Sequence, residues 1–211
     1  MFADLLAESG VVETVRLGSP FGFMAFHGGS LEVATDTIAA AAAERSGASL
    51  YTVAQPEDLN WHVPSKLVDP AASDGLAAFL DHVDVVVAVH GFGREGMFTS
   101  LLLGGQDRAL AAWLADALRP ALPPYELVDD LDVIPAALRG LHPDNPVNRV
   151  RGGGVQLELP PRVRGLGPWW DHPDRVDQRT SHRDALVDGL AAAATAWSAE
   201  RDAGGGVAAG R

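Results

Sequence analysis

His27 and His90 are the residues from which chemistry can first be argued. Each directly follows a run of β-type residues, Gly22–Phe26 and Val83–Val89, and each is followed by glycine. In open α/β sheets, buried strand ends are where ligands collect. Glu32 lies five residues after His27, at the start of a helical pattern. A sharp turn through Gly28 and Gly29 can fold its carboxylate back toward the imidazole. Two imidazoles and one carboxylate form a frequent catalytic zinc set, with a fourth position left for water. A structural reading stands beside this one. A strand-end histidine can be a hydrogen-bonded core residue, and Glu32 can favour a helix N-terminus through the dipole. The spacing suggests a metal without deciding it, and the second strand-end histidine strengthens the case.

Glu158 is the next candidate. The alternation Val155-Gln-Leu-Glu-Leu159 puts Gln156 and Glu158 on one face of a strand. That face either meets solvent or lines a cleft. In a cleft, Glu158 can act as the general base for a metal-activated water. Two other motifs lead elsewhere. His27-Gly-Gly-Ser30 has the form of a serine-hydrolase oxyanion loop, but the chain contains no Gly-x-Ser-x-Gly elbow. Gly91-x-Gly93-x-x-Gly96 follows a strand as a dinucleotide fingerprint does, yet a helix must open at its third glycine. The run Met97–Leu103, ambiguous between strand and helix, breaks at two glycines instead. Nucleotide binding through this loop is the minor alternative.

The elements that must position these residues alternate between short β-rich runs and alanine-rich helical stretches. Helices are expected over Leu31–Arg45, from a Ser73 or Asp74 cap to Asp81, and over Asp107–Leu118. A last helix, capped by Thr180 or Ser181, is expected to reach Glu200. Further strands are expected at Leu50–Ala54, Glu126–Val128 and Val155–Leu159. His62 falls in a proline-marked loop, Gln55–Pro70. Strands separated by helices over one core indicate an α/β sandwich. No linker divides the chain, so one domain over residues 1–202 is expected, with 203–211 a disordered tail.

Composition narrows the function. The 211 residues include no cysteine and carry 16 basic against 28 acidic side chains, a net charge of −12. No disulfide framework, thiolate zinc site or cysteine nucleophile is available to them. The acidic balance argues against nucleic acid as partner. The acidic N-terminal stretch does not read as a signal peptide, and no apolar run approaches the ~20 residues of a membrane span. A soluble cytoplasmic protein without a membrane partner is expected. Charge is uneven: Arg149 to Arg183 contains seven basic residues and four acids, Glu158, Asp171, Asp174 and Asp177. Arg149, Arg151, Arg162 and Arg164 flank the Glu158 strand, and arginine suits a substrate carboxylate. For each one, ordinary surface arginine is the competing reading.

Four motifs occur in order: Phe26-His-Gly-Gly-Ser-Leu-Glu32, Asn60-Trp-His-Val-Pro-Ser65, Val87-Ala-Val-His-Gly91 and Gly154-Val-Gln-Leu-Glu-Leu159. Together, over roughly residues 15–200, the chain resembles the poly-γ-glutamate hydrolase family, first associated with phages. The resemblance implies a three-layer α/β sandwich, a mixed sheet flanked by helices, similar to zinc carboxypeptidases. It implies a Zn²⁺-dependent hydrolase of γ-glutamyl or similar carboxylate-rich amides, acting on a small or polymeric anionic substrate. Carried over by position, His27, Glu32 and His90 are the metal ligands and Glu158 the general base. His62 falls in a His-x-x-Ser motif near the cleft and is a candidate substrate contact. The family's Ser-x-His-Gly-Cys stretch here reads Val-Ala-Val-His-Gly-Phe-Gly-Arg, which makes Arg94 a further candidate contact, beside Arg149, Arg151 and Arg164. A non-catalytic metal- or ligand-binding module of the same fold is the competing class.

Overall fold

Along strand β2 (Ser19–Gly29), Phe21, Phe23 and Ala25 belong to one apolar layer and Met24 and Phe26 to another. A strand apolar on both faces has to be covered on both. The computed structural model, which describes residues 1–167 and 176–205, covers it in that way. One face of the sheet carries α2 (Thr35–Ser46), α4 (Arg108–Leu118) and α5 (Val176–Gly205). The other carries α1 (Phe2–Leu6), α3 (Asp74–His82) and the loop residues Val63, Val68 and Val147. The architecture is the expected three-layer α/β sandwich.

The sheet is mixed. Its remaining strands are β1 (Val12–Arg16), β3 (Ala48–Gln55), β4 (Val85–Gly91), β5 (Ser100–Leu103), β6 (Glu126–Val128) and β7 (Val155–Leu159). All seven run in the order β1-β3-β2-β4-β7-β5-β6. The central four, β3, β2, β4 and β7, are parallel. β1 lies antiparallel on β3, and β5 antiparallel on β7. From β2 the chain crosses to β3 on one side, while β4 has β7 on its other side. The strand order therefore diverges between β2 and β4, where a crevice opens beyond the strand C-termini.

Local chemistry explains the element ends. The Ser73 hydroxyl caps α3 by accepting from Leu76 N–H at 2.9 Å, and Asp107 caps α4 by accepting from Leu110 N–H at 2.9 Å. Several boundaries differ from the sequence reading. Residues 31–34 form a turn, so α2 begins at Thr35. The ambiguous run 97–103 resolves into β5, preceded by turn and loop. Helix α5 starts at Val176, which places Thr180 and Ser181 inside it, and runs to Gly205. Of the expected tail, residues 206–211 lie outside the described residues. Among the described residues, no helix is long and apolar enough to cross a membrane.

A candidate metal and active site

Strand β2 is irregular where it matters. Its register against β3 passes from Ala25↔Thr52 to Gly28↔Ala54, so Phe26 and His27 together oppose Val53. Such a bulge re-aims a side chain, and His27 is turned toward His90, their rings 5.0 Å apart. The chain then folds back on itself, with Glu32 N–H donating to the His27 carbonyl at 2.9 Å. Gly29 makes the turn at φ +71°, and a Cβ there would lie 2.1 Å from the Gln55 carbonyl oxygen. Gly28 has ordinary φ, but a Cβ would meet that of Asp36 at 2.5 Å.

The turn delivers the Glu32 carboxylate between the two histidines. Oε1 lies 2.9 Å from His27 Nδ1, and Oε2 lies 3.2 Å from His90 Nδ1. Oε2 also accepts Gly91 N–H at 2.8 Å. Burial opposes ionisation of Glu32, but attraction and hydrogen bonding from His90 and His27 outweigh it and hold the carboxyl well below its usual range. Burial likewise opposes charge on His90, and Glu32 outweighs it and raises the pKa.

The hydrogen-bond arrangement suits either a protonated His27 or a bound cation. His27 Nε2 lies 2.8 Å from the Val63 carbonyl oxygen, which only accepts, so Nε2 carries a proton. In the neutral ring, the Nδ1 lone pair then faces an ionised carboxylate oxygen, and a proton or a metal ion must stand between them. A carbonyl fixing the far nitrogen of a liganding imidazole is a common supporting contact in metal sites. His90 Nε2 is buried with no hydrogen-bond partner, and Nδ1 is the nitrogen of that ring that faces Glu32 Oε2. His/Glu/His donors suit Zn²⁺.

His62 joins this group. Its ring is 4.7 Å from that of His27, and among the described residues the donor set that closes to within 4.8 Å is His27, Glu32 and His62, whereas the sequence reading took His90 as the third ligand. The loop carrying it is pinned by Gln55, whose side chain donates to Trp61 O and accepts from Trp61 N–H, both at 2.9 Å. Burial and the neighbouring His27 lower the His62 pKa, which favours the neutral imidazole that a ligand needs.

Glu158 stands beside this cluster. It is the register partner of His90 across β4 and β7 and is 4% exposed. Burial pushes its carboxyl up to about 7, with His90 opposing and Glu32 reinforcing the shift. Gln156 donates to Glu158 Oε1 at 2.8 Å, and Asn145 donates to Gln156 Oε1 at 2.8 Å. All of these side chains line one cavity of about 570 Å³.

The arginines are placed differently. Arg164 is buried away from the cavity, its guanidinium donating to Leu159 O, Val33 O and Phe92 O at 3.2, 2.9 and 3.3 Å. Arg149 lies 3.5 Å from Asp69 on a neighbouring cavity. Arg94 and Arg151 are exposed and line neither. Asp171 and Asp174, part of the charge-rich stretch, lie outside the described residues. The sequence reading missed Lys66, His142 and Asn145 as cavity residues. Lys66 carried a signal, since it is the single lysine of the chain and lies four residues after His62. The loop after Gly91 leads through Gly96 into a strand rather than a helix, so it has no helix N-terminus to hold a pyrophosphate.

Comparison with known proteins gives a family and a fold. The family model for poly-gamma-glutamate hydrolase matches residues 5–169. No curated protein matches the chain by sequence. Among solved structures, a bacteriophage poly-gamma-glutamate hydrolase superposes with TM-score 0.68 and 22% identity, covering 88% of this chain and 91% of the other. YNDL in a zinc-free apo form gives 0.65 and 21%, covering 86% and 90%. A protein designated a carboxypeptidase, from Burkholderia mallei, gives 0.52 and 11%, covering 88% and 59%. At these identities the structures show a shared fold.

Proposed function

The chain belongs to the poly-gamma-glutamate hydrolase family, and on that premise we propose that it is a zinc-dependent hydrolase of γ-glutamyl or similar carboxylate-rich amides. The observation that carries this reading is the Glu32 carboxylate lying between His27 and His90, with Glu158 beside them in the same cavity. Within one unit spanning residues 1–202, His27, Glu32 and His90 are the ligands. His90 is preferred to His62 because it is 3% exposed and fixed on a strand end, and rigid elements hold such geometry best. His62, on the exposed rim, contacts substrate. The zinc-free state in which YNDL was solved supports zinc as the ion.

His27, Glu32 and His90 would hold a zinc ion that, when bound, would supply Lewis acidity to a water and to the scissile carbonyl. Glu158 takes the proton of that water and later passes it to the leaving amine nitrogen. Gln156 and Asn145 hold the Glu158 carboxylate in orientation, and the loop around Val63 holds the His27 ring.

Metal analysis of the purified protein, followed by hydrolysis of γ-linked and α-linked glutamyl peptides, tests the proposal. About one zinc per chain with cleavage of the γ-linked peptide is expected. Zinc without cleavage of either peptide would make the protein a binding module. His90→Ala should lose the metal and His62→Ala keep it; the reverse result would exchange their roles.

A further inference from the structure

The chain uses arginine fifteen times and lysine once, and that lysine, Lys66, lines the candidate active-site cavity. It also lines a second cavity of about 540 Å³, so it stands where the two meet. Among the described residues, no carboxylate lies within ion-pair distance of its ammonium. The other cations near the site are engaged or remote. Arg164 donates to three backbone carbonyls, and Arg149 stands at Asp69.

Its backbone is tied to the metal cluster. Lys66 sits in a tight turn in which Leu67 N–H donates to Pro64 O at 2.7 Å and Val68 N–H to Ser65 O at 3.1 Å. The preceding Val63 carbonyl holds His27 Nε2. An ammonium on the wall of the cavity that also holds the Glu32 and Glu158 carboxylates offsets the repulsion an anionic substrate would otherwise meet.

We infer that Lys66 is the specificity-determining cation of the site and takes the free carboxylate adjoining the scissile γ-amide. This inference rests on the hydrolase reading above. In a γ-linked glutamyl chain, the free carboxylate is carried by the carbon bonded to the leaving nitrogen. In an α-linked chain it stands two methylenes further out. A cation whose backbone is anchored beside the His27 cluster, and whose reach is therefore bounded, favours one linkage over the other. Lysine also suits a flexible chain, since a point charge accepts a carboxylate from many directions.

The test compares a γ-linked glutamyl oligomer with the same oligomer whose free carboxylates are carboxamides. Lys66→Met should lower the ratio of kcat/KM for the charged over the amidated substrate by roughly 10–100-fold, the size of a charged hydrogen bond, with the loss in KM. Lys66→Arg should restore part of it. An unchanged ratio, or an equal fall in kcat on both substrates, would overturn the inference. A second measurement needs no turnover. Acetic anhydride has one lysine to modify, and in Glu158→Gln protein the charged oligomer should slow acetylation of Lys66 about tenfold while the amidated one does not. Equal rates would overturn the inference. Protection of Lys66 in a protein that cleaves neither oligomer would instead sink the hydrolase reading alone.

Discussion

His90 and Glu158 are register partners on adjacent parallel strands, β4 and β7. Neighbouring strands are about 4.8 Å apart, so the sheet itself sets the spacing between a proposed metal ligand and the proposed base. No loop has to close to bring them together. Glu158→Gln keeps the size of the side chain and removes its basicity. Turnover of a γ-glutamyl peptide should fall by roughly 10²–10⁴-fold while bound zinc, assayed by atomic emission, is unchanged. Turnover equal to the parent's would remove Glu158 from the mechanism.

The same carboxyl should make stability depend on pH. Its value is about 7 in the folded metal-free chain against 4.5 as the reference for the unfolded one. The folded state thus binds the proton more tightly, and the resulting stabilisation is complete below pH 4.5 and lost as pH rises through 7. In chelator, Glu158→Gln lacks this loss. Urea unfolding should show the variant gaining on the parent between pH 4.5 and 7 and holding a constant lead above. In the loaded enzyme, a dication pulls the carboxyl down, so the acid limb of kcat/KM should fall below pH 7.

Zinc should stabilise the fold by mass action. An ion bound only by the native state contributes about 2.7 kcal/mol at 100 times its Kd, seen as a higher Tm on adding zinc to chelated protein. His27→Ala should abolish that rise. It also frees the Val63 carbonyl, so amide exchange should quicken across residues 59–66.

Much of this arrangement is legible from residue type and spacing. The alternation in 155–159 puts Gln156 and Glu158 opposite the apolar Val155, Leu157 and Leu159, and the structure keeps that division. The caps at Ser73 and Asp107 act locally, and local chemistry is readable. What escapes is set by tertiary contacts. β1 pairs with β3 at the sheet edge, and its mixed sequence, Val12–Arg16, carries little apolar signal. The arginine-rich stretch looks like substrate chemistry by composition, yet Arg164 spends its donors on carbonyls at the end of β7, in the turn before α2 and just after β4. Only the fold brings those carbonyls together.

Two glycines with nearly the same φ separate strain from space. Gly29 at +71° has the Gln55 backbone within 2.1 Å of a would-be Cβ, whereas Gly47 at +69° has nothing within 4 Å. Gly47→Ala should cost only the left-handed conformation, about 1–2 kcal/mol. Gly29→Ala must also push β2 away from β3, which displaces Glu32. Its loss in urea unfolding should exceed that of Gly47→Ala by at least about 2 kcal/mol, and it alone should lose zinc. Equal costs would mean that the close approach at Gly29 relaxes freely.

The hydrogen bonds of Arg164 are those of an architectural residue, where composition suggested substrate binding. Its guanidinium ties the segment after β7, the turn bearing Glu32 and the segment after β4, through Leu159 O, Val33 O and Phe92 O. Gly91 leaves room for it, since a Cβ there would come within 2.7 Å of the guanidinium carbon. Arg164→Met keeps much of the stem but takes the guanidinium donor from the Val33 and Phe92 carbonyls, while Leu159 O keeps Phe92 N–H at 3.1 Å, a loss of roughly 1–3 kcal/mol. Arg164→Lys cannot reach three carbonyls with one ammonium and should recover only part. A substrate-binding arginine would behave otherwise, with unfolding unchanged and KM raised for charged substrates alone. Arg164→Met should instead shift the urea midpoint and weaken zinc binding, while the preference for charged over amidated oligomer stays that of the parent.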